Sequence, residues 1–124
     1  MAVAADGFAI QRILEMDLNA ANAGLLWDRL SGLVGSGETR LIVDLSRVLL
    51  IDTSAMWVLL SVHRLLGDGG KLVLFGLRPP VAYAFRLTRM DQALTIVGAE
   101  QRAVQLMIAD ALEHAPSDLA RVAV

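Results

Sequence analysis

Two adjacent hydroxyl residues behind an aspartate, Asp52-Thr53-Ser54, are the groups in this chain best placed for chemistry. They follow a short apolar strand, Leu41-Ile42-Val43-Asp44-Leu45, and a brief turn, and they stand where the next helix opens. The first backbone N–H groups of a helix lack intrahelical acceptors and its dipole is positive there. A hydroxyl at Thr53, or a phosphate on it, therefore meets donors already aimed at it. That arrangement suits a phosphorylation switch better than a catalyst, with Ser54 as the alternate acceptor. Taken by themselves, Thr53 and Ser54 also read as ordinary helix-start residues engaged in a local hydrogen bond. Asp52 is the natural N-cap, and its functional reading is to orient the Thr53 hydroxyl or to hold the loop for a kinase.

Other chemistry finds little material. His63 and His114 are the only histidines, there is no G-x-S-x-G, and no carboxylate–histidine spacing suggests a metal site. The absence of Cys removes disulfides, thiolate zinc sites and thiol nucleophiles together. Gly67-Asp68-Gly69-Gly70-Lys71 lacks the P-loop pattern and leads into a strand, so it reads as a helix cap and turn. The expectation is a protein that is no enzyme and needs no metal or cofactor.

The elements that position Thr53 follow from the hydrophobic period. Phe8 to Glu15 reads as a strand, and Asp6-Gly7 before it as a turn pairing it with a very short strand at Ala2-Val3-Ala4. Asn19 or Asn22 caps a helix through Leu25, Leu26, Trp27, Leu30 and Leu33 that stops at Gly35-Ser36-Gly37. Leu41 to Leu45 is apolar enough to be covered on both faces. Ala55, Val58, Leu59, Val62, Leu65 and Leu66 mark the buried face of the helix that Thr53 opens and that Gly67 to Gly70 ends. Lys71 to Phe75 is a strand, Pro79-Pro80 starts a helix, Leu94 to Val97 is the last strand and Glu100 to His114 a final helix. This order gives an α/β fold with a central, mostly parallel sheet of four or five strands and about four helices. Residues 1–115 form the single domain, and 116–124 are expected to be loose or partner-dependent.

Bulk properties fit a small regulatory domain. The 124 residues suffice for one core, and the net charge of −2 leaves no footprint for nucleic acid. Hydrophobic residues make up 56%, yet every apolar run is broken well short of the roughly 20 residues that span a bilayer. The chain is thus expected to make no direct membrane insertion, and its hydrophobicity leaves a homodimer open. The stretch Met1 to Asp6 lacks a signal peptide's basic start and apolar segment, which points to the cytoplasm.

Asp44-Leu45-Ser46-Arg47-Val48, Ile51-Asp52-Thr53-Ser54 and Gly69-Gly70-Lys71-Leu72-Val73-Leu74 together resemble the STAS domain of bacterial anti-sigma factor antagonists. Glu15-Met16-Asp17, set against that family's Gly-Glu-Leu-Asp turn, extends the resemblance toward the N-terminus. Arg86-Leu87-Thr88-Arg89-Met90-Asp91 and Leu94-Thr95-Ile96-Val97 extend it through the last strand, so that it covers about residues 8–112. The resemblance implies a partner that is an anti-sigma factor with a histidine-kinase-type ATPase fold, often itself the kinase. It also implies phosphorylation of the hydroxyl after the motif aspartate, here Thr53, and a phosphatase that reverses it. The Asp17 turn is then expected beside Thr53, while Asp44 either supports its strand or borders the site. Ala55, Trp57 and Leu14 depart from the family, which has Gly, a small residue and Gly there. The same fold with another partner, as an accessory subunit of a phospholipid-trafficking ABC transporter or a stressosome-type scaffold, is the alternative.

One stripe of the central helix holds Trp57, Ser61, Arg64 and Asp68, so Trp57 is expected to face water or a partner. One turn from Thr53, a tryptophan with an arginine neighbour suits a binding anchor, since interface hot spots are enriched in Trp and Arg. Met56 and Leu60 flank this stripe and read as core.

Overall fold

A parallel strand covered on both faces must be apolar at nearly every position. Leu41-Ile42-Val43 and Leu72-Val73-Leu74 satisfy that requirement, with all six side chains at most 1% exposed. The structure is a computed structural model that describes residues 2–5 and 7–114; the expected loose end after Ala115 lies outside the described residues. The elements in order are β1 (Ala2–Ala5), β2 (Phe8–Arg12), β3 (Asp17–Leu18), α1 (Ala23–Gly35), β4 (Arg40–Asp44), β5 (Leu50–Ile51) and α2 (Thr53–Leu66). They continue as β6 (Lys71–Phe75), α3 (Pro79–Leu87), α4 (Met90–Ala93), β7 (Thr95–Val97) and α5 (Glu100–Glu113).

The main sheet has the order β1-β2-β4-β6-β7. Only β1 is antiparallel, joined to β2 with Ala5 opposite Phe8 and with Gly7 at φ 87°, the positive value a tight hairpin turn requires. Strand parity divides the core. Ala9, Leu41, Val43, Leu72 and Leu74 face α1 to α4, packing with Leu30, Leu59, Val81 and Phe85. Phe8, Ile10, Ile42, Val73 and Phe75 face Ala103 and Met107 of α5.

Ion pairs fasten α5 across its face. Arg40 Nε donates to Asp110 Oδ2 at 2.9 Å, with both side chains largely buried. At the opposite end of the sheet, Arg12 Nη1 lies 2.7 Å from Glu100 Oε1 and 2.9 Å from Asp44 Oδ2. These contacts tie the start of α5 to the carboxyl end of β2 and its last turns to the amino end of β4, so α5 runs back against the strands.

Four sequence-based expectations change for physical reasons. The strand expected to reach Glu15 ends at Arg12: Ile13 still donates to Asp44 O at 3.0 Å, and the chain then leaves the main sheet. It forms instead a separate two-residue parallel ladder, β3 with β5, too short to leave a period in the sequence. On α2, Leu65 is 50% exposed and does not belong to the core, whereas Met56 and Leu60 are buried. The helix is packed by α1 and α4 as well as by β6, which widens and rotates its buried arc. Finally, a fifth helix, α4, interrupts the link before β7 after Arg89 takes a left-handed φ of 59°.

Close packing at the amino end of β6 makes Gly70 obligatory, because a Cβ there would stand 2.6 Å from the Thr39 backbone oxygen. Gly70→Ala should lower stability by about 1–3 kcal/mol, the usual cost of overpacking, measured as the urea midpoint. A second expectation concerns acid. Burial pushes the Asp44 carboxyl up, but hydrogen bonds from Ser46 and the Arg12 guanidinium outweigh it and hold the group below its ordinary value. A depressed folded-state value contributes stability above the unfolded value, near about 3.9, that is lost as pH falls through the folded one. Asp44→Asn should therefore be less stable than wild type at neutral pH, with the difference in urea midpoint closing as pH falls below about 4.

Candidate functional site

The amino end of α2 is built by Asp52. Its backbone is still extended, φ −103° and ψ 176°, the conformation usual for an N-cap, and this lets its side chain turn back on the helix. Oδ1 accepts from Ala55 N at 3.2 Å, an N-cap bond. Oδ2 accepts from Ala20 N at 3.0 Å, and the Asp52 amide donates to Leu18 O at 2.9 Å. One residue thus binds α2 to the segment between β3 and α1. Thr53 follows as the first residue of α2, exposed, and its hydroxyl has no partner among the described residues. Ser54 is half-buried.

The neighbouring segment is held by its own asparagines. Asn22 Oδ1 accepts from Asn19 N at 2.9 Å, Asn22 Nδ2 donates to Asp17 O at 2.7 Å, and Asn19 Oδ1 accepts from Ala21 N at 2.9 Å. Asn22 occupies the N-cap position of α1, yet its side chain makes no capping bond because it is spent on this loop. The sequence offers one or the other as the helix cap. Their role is to shape the ground beside Thr53, and the close pair Asn19 and Asn22 was the signal.

The sequence-derived residues do not all meet. Asp17 is exposed and lies opposite Leu50 in the β3–β5 ladder, which carries it to the strand end just before Asp52 and Thr53. Asp44 does not join them. Its parity places it on the α5 face of the sheet, bound to Arg12 and to the Ser46 amide at 2.9 Å, so its role is to support that face. Trp57 is 53% exposed one turn along α2, and Arg64 is exposed beyond it. Ser61 is exposed, but its hydroxyl is used within the helix, donating to Trp57 O at 2.8 Å.

Reading by residue type and spacing overlooked two features. Leu14, Met16, Leu49 and Leu50 are apolar yet exposed, and backbone bonds from Leu49 N and Leu50 N to Met16 O, 2.7 and 3.3 Å, bring them to one edge. Their scatter along the chain hid this surface. The other is Asp110, Glu113 and His114, whose ligand atoms lie within 4.8 Å of one another, a carboxylate–histidine spacing that went unrecognised. Arg40 already engages Asp110, and the remaining two are exposed at the end of α5. A cleft of about 660 Å³ runs between Gly76 and Gly98 beside Phe85, Arg86 and Asp91, and no residue of α2 lines it. Among the described residues no helix is long and apolar enough to cross a membrane.

Comparison with known proteins agrees with this architecture. A family model described as "Mlab, STAS domain" matches residues 13–98. No curated protein sequence matches the chain. Among solved structures, an anti-sigma factor antagonist from Mycobacterium paratuberculosis superposes with a TM-score of 0.80 at 17% identity, covering 86% of this chain and 91% of the other. The antagonist SpoIIAA in its unphosphorylated form gives 0.74 at 17% identity, with 88% and 96% covered; the phosphorylated form, from Bacillus, gives 0.63 at 17%, with 85% and 96% covered. A chain of the stressosome gives 0.67 at 20% identity, with 88% and 96% covered. At such identities these likenesses are of fold. The family model is more specific, and since it spans well over half of the 124 residues, this protein belongs to the STAS domain family.

Proposed function

We propose that this protein is an anti-sigma factor antagonist, a non-enzymatic switch that binds an anti-sigma factor and is released when Thr53 is phosphorylated. One observation carries the reading: an exposed hydroxyl without a partner stands first in a helix whose N-cap aspartate is locked to the adjoining loop. The partner is a kinase with a histidine-kinase-type ATPase fold, and a phosphatase returns the protein to its binding form. No cofactor is required of the chain itself.

Phosphorylation adds about −1.5 to −2 charge at neutral pH. The helix end tolerates it, with donors and dipole worth about 0.3–1 kcal/mol, so the fold survives. Asp17 and Asp52 already make that surface acidic, and the added charge repels a partner docked there with an acidic or apolar patch. Trp57, with Arg64 and Ser61 on the same stripe, extends the contact surface down α2.

A second reading keeps the fold and changes the partner: a small subunit on the ATPase of a phospholipid-trafficking ABC transporter, or a stressosome-type scaffold. Ala55 and Trp57 favour it, since antagonists have Gly and a small residue there, and so does the likeness to the stressosome chain.

Mass spectrometry of the chain after incubation with its cognate kinase and ATP should find phosphate on Thr53. Thr53→Ala should bind the partner constitutively and Thr53→Glu weakly, with Ser54→Ala having a smaller effect than either. Phosphate on Ser54 or Ser61 with none on Thr53 moves the switch; no phosphate at all, with Thr53→Glu binding like wild type, rejects it in favour of the second reading. Trp57→Ala should weaken binding by about 1 kcal/mol or more with the melting temperature nearly unchanged, as for an exposed anchor. A large loss of stability with binding intact overturns that role.

A further inference from the structure

Four apolar side chains stand exposed at one preformed edge: Leu14 at 55%, Met16 at 62%, Leu49 at 37% and Leu50 at 59%. Met16 O accepts hydrogen bonds from both Leu49 N and Leu50 N, and Asp17 lies opposite Leu50, so backbone bonds hold these residues together. Leu14, Met16 and Leu49 line a shallow groove together with two cations, Arg47 and Arg78. Arg78 Nε donates to Ser46 O at 2.7 Å and is fixed by that bond. Neither arginine has a carboxylate partner among the described residues: Asp44, the nearest acid in sequence to Arg47, is paired with Arg12 at 2.9 Å, and Glu15 with Arg29 at 2.6 Å. An apolar floor beside two unneutralised guanidinium groups selects a ligand that is apolar on one side and acidic on the other.

We propose that this groove receives an amphipathic acidic segment of the protein partner, its leucine-like face on Leu14, Met16 and Leu49 and its carboxylates on Arg47 and Arg78. The proposal rests on the reading of the chain as a partner-binding switch and names the chemistry of the partner. Charge complementarity favours a protein segment over a bilayer. Two arginines fall short of the four to eight basic residues that typically mark an anionic-lipid surface. Leu49, which lines the groove, precedes Thr53 by only four positions, so the groove adjoins the stretch that leads into α2. A phosphate on Thr53 then repels the same acidic segment that the arginines hold, which couples the groove to the switch.

The test uses the full chain carrying the photocrosslinker benzoylphenylalanine in place of Met16, irradiated in native lysate, with a second chain carrying it in place of Trp57. The expected adduct at position 16 is a peptide of another protein, rich in Asp or Glu on one helical face and in Leu, Ile or Phe on the other. Adding Arg47→Glu should reduce its yield about tenfold, since reversing a charge at a steered contact acts on association. A basic or uncharged peptide, a peptide of a second copy of this chain, a lipid adduct, or no adduct at position 16 overturns the proposal. A partner adduct at position 57 with none at 16 overturns the groove and leaves the antagonist reading standing. An acidic adduct at 16 whose yield is unchanged by Thr53→Glu supports the groove and rejects the switch.

Discussion

Burial of β4 on both faces is the constraint on which the rest of the molecule depends. Its backbone groups pair with β2 on one side and β6 on the other, and its side chains enter two separate cores. A strand so enclosed leaves no room for a side chain that needs water, except at its ends. Asp44 and Arg40 are at those ends, and each is taken up by an ion pair on the α5 side. The other face is thereby left free of charge, and α1 to α4 pack against it without a buried ionic group to satisfy.

From that arrangement comes the placement of Thr53. The chain leaves β4 at its carboxyl end, turns through buried Leu45 and Val48, and re-enters order only as the two residues of β5. So short a strand has little stability of its own. It persists because β3 pairs with it and because the Asp52 carboxylate joins the last residues of this ladder to both α2 and the Asn19–Asn22 loop. Losing an N-cap typically costs about 1 kcal/mol. Here the same loss also detaches a loop, so the geometry around Thr53 and the stability of α2 are governed by one carboxylate.

The surface around this point is divided by charge. Asp17 and Asp52 lie toward the loop before α1, while Arg47 and Arg78 lie toward the turn after β4, with exposed leucines and Met16 between. A modification that adds negative charge at the start of α2 alters that balance without touching the core, because no side chain of the sheet participates in it.

Much of this was legible in the chain itself. Continuous apolar runs over two central strands, the 3.6-residue period of α2 and the Asp-Thr-Ser opening are local signals, and they determined the α/β order, the parallel sheet and Thr53 as a helix-start hydroxyl. Other features are set by contacts between residues distant in sequence, which no local period encodes. Asp44 reads as a candidate neighbour of Thr53, but strand parity turns it to the opposite face, where Arg12, 32 positions away, neutralises it. Leu65 follows the core spacing of α2 and is nevertheless exposed, since packing from α1 and α4 rotates the buried arc toward Met56 and Leu60. The apolar edge of Leu14, Met16, Leu49 and Leu50 exists only because β3 pairs with β5 across more than thirty residues. Sequence alone determined which residues are candidates and in which elements they lie; tertiary structure decided which of them meet, because faces and neighbours are fixed by strand register and helix packing.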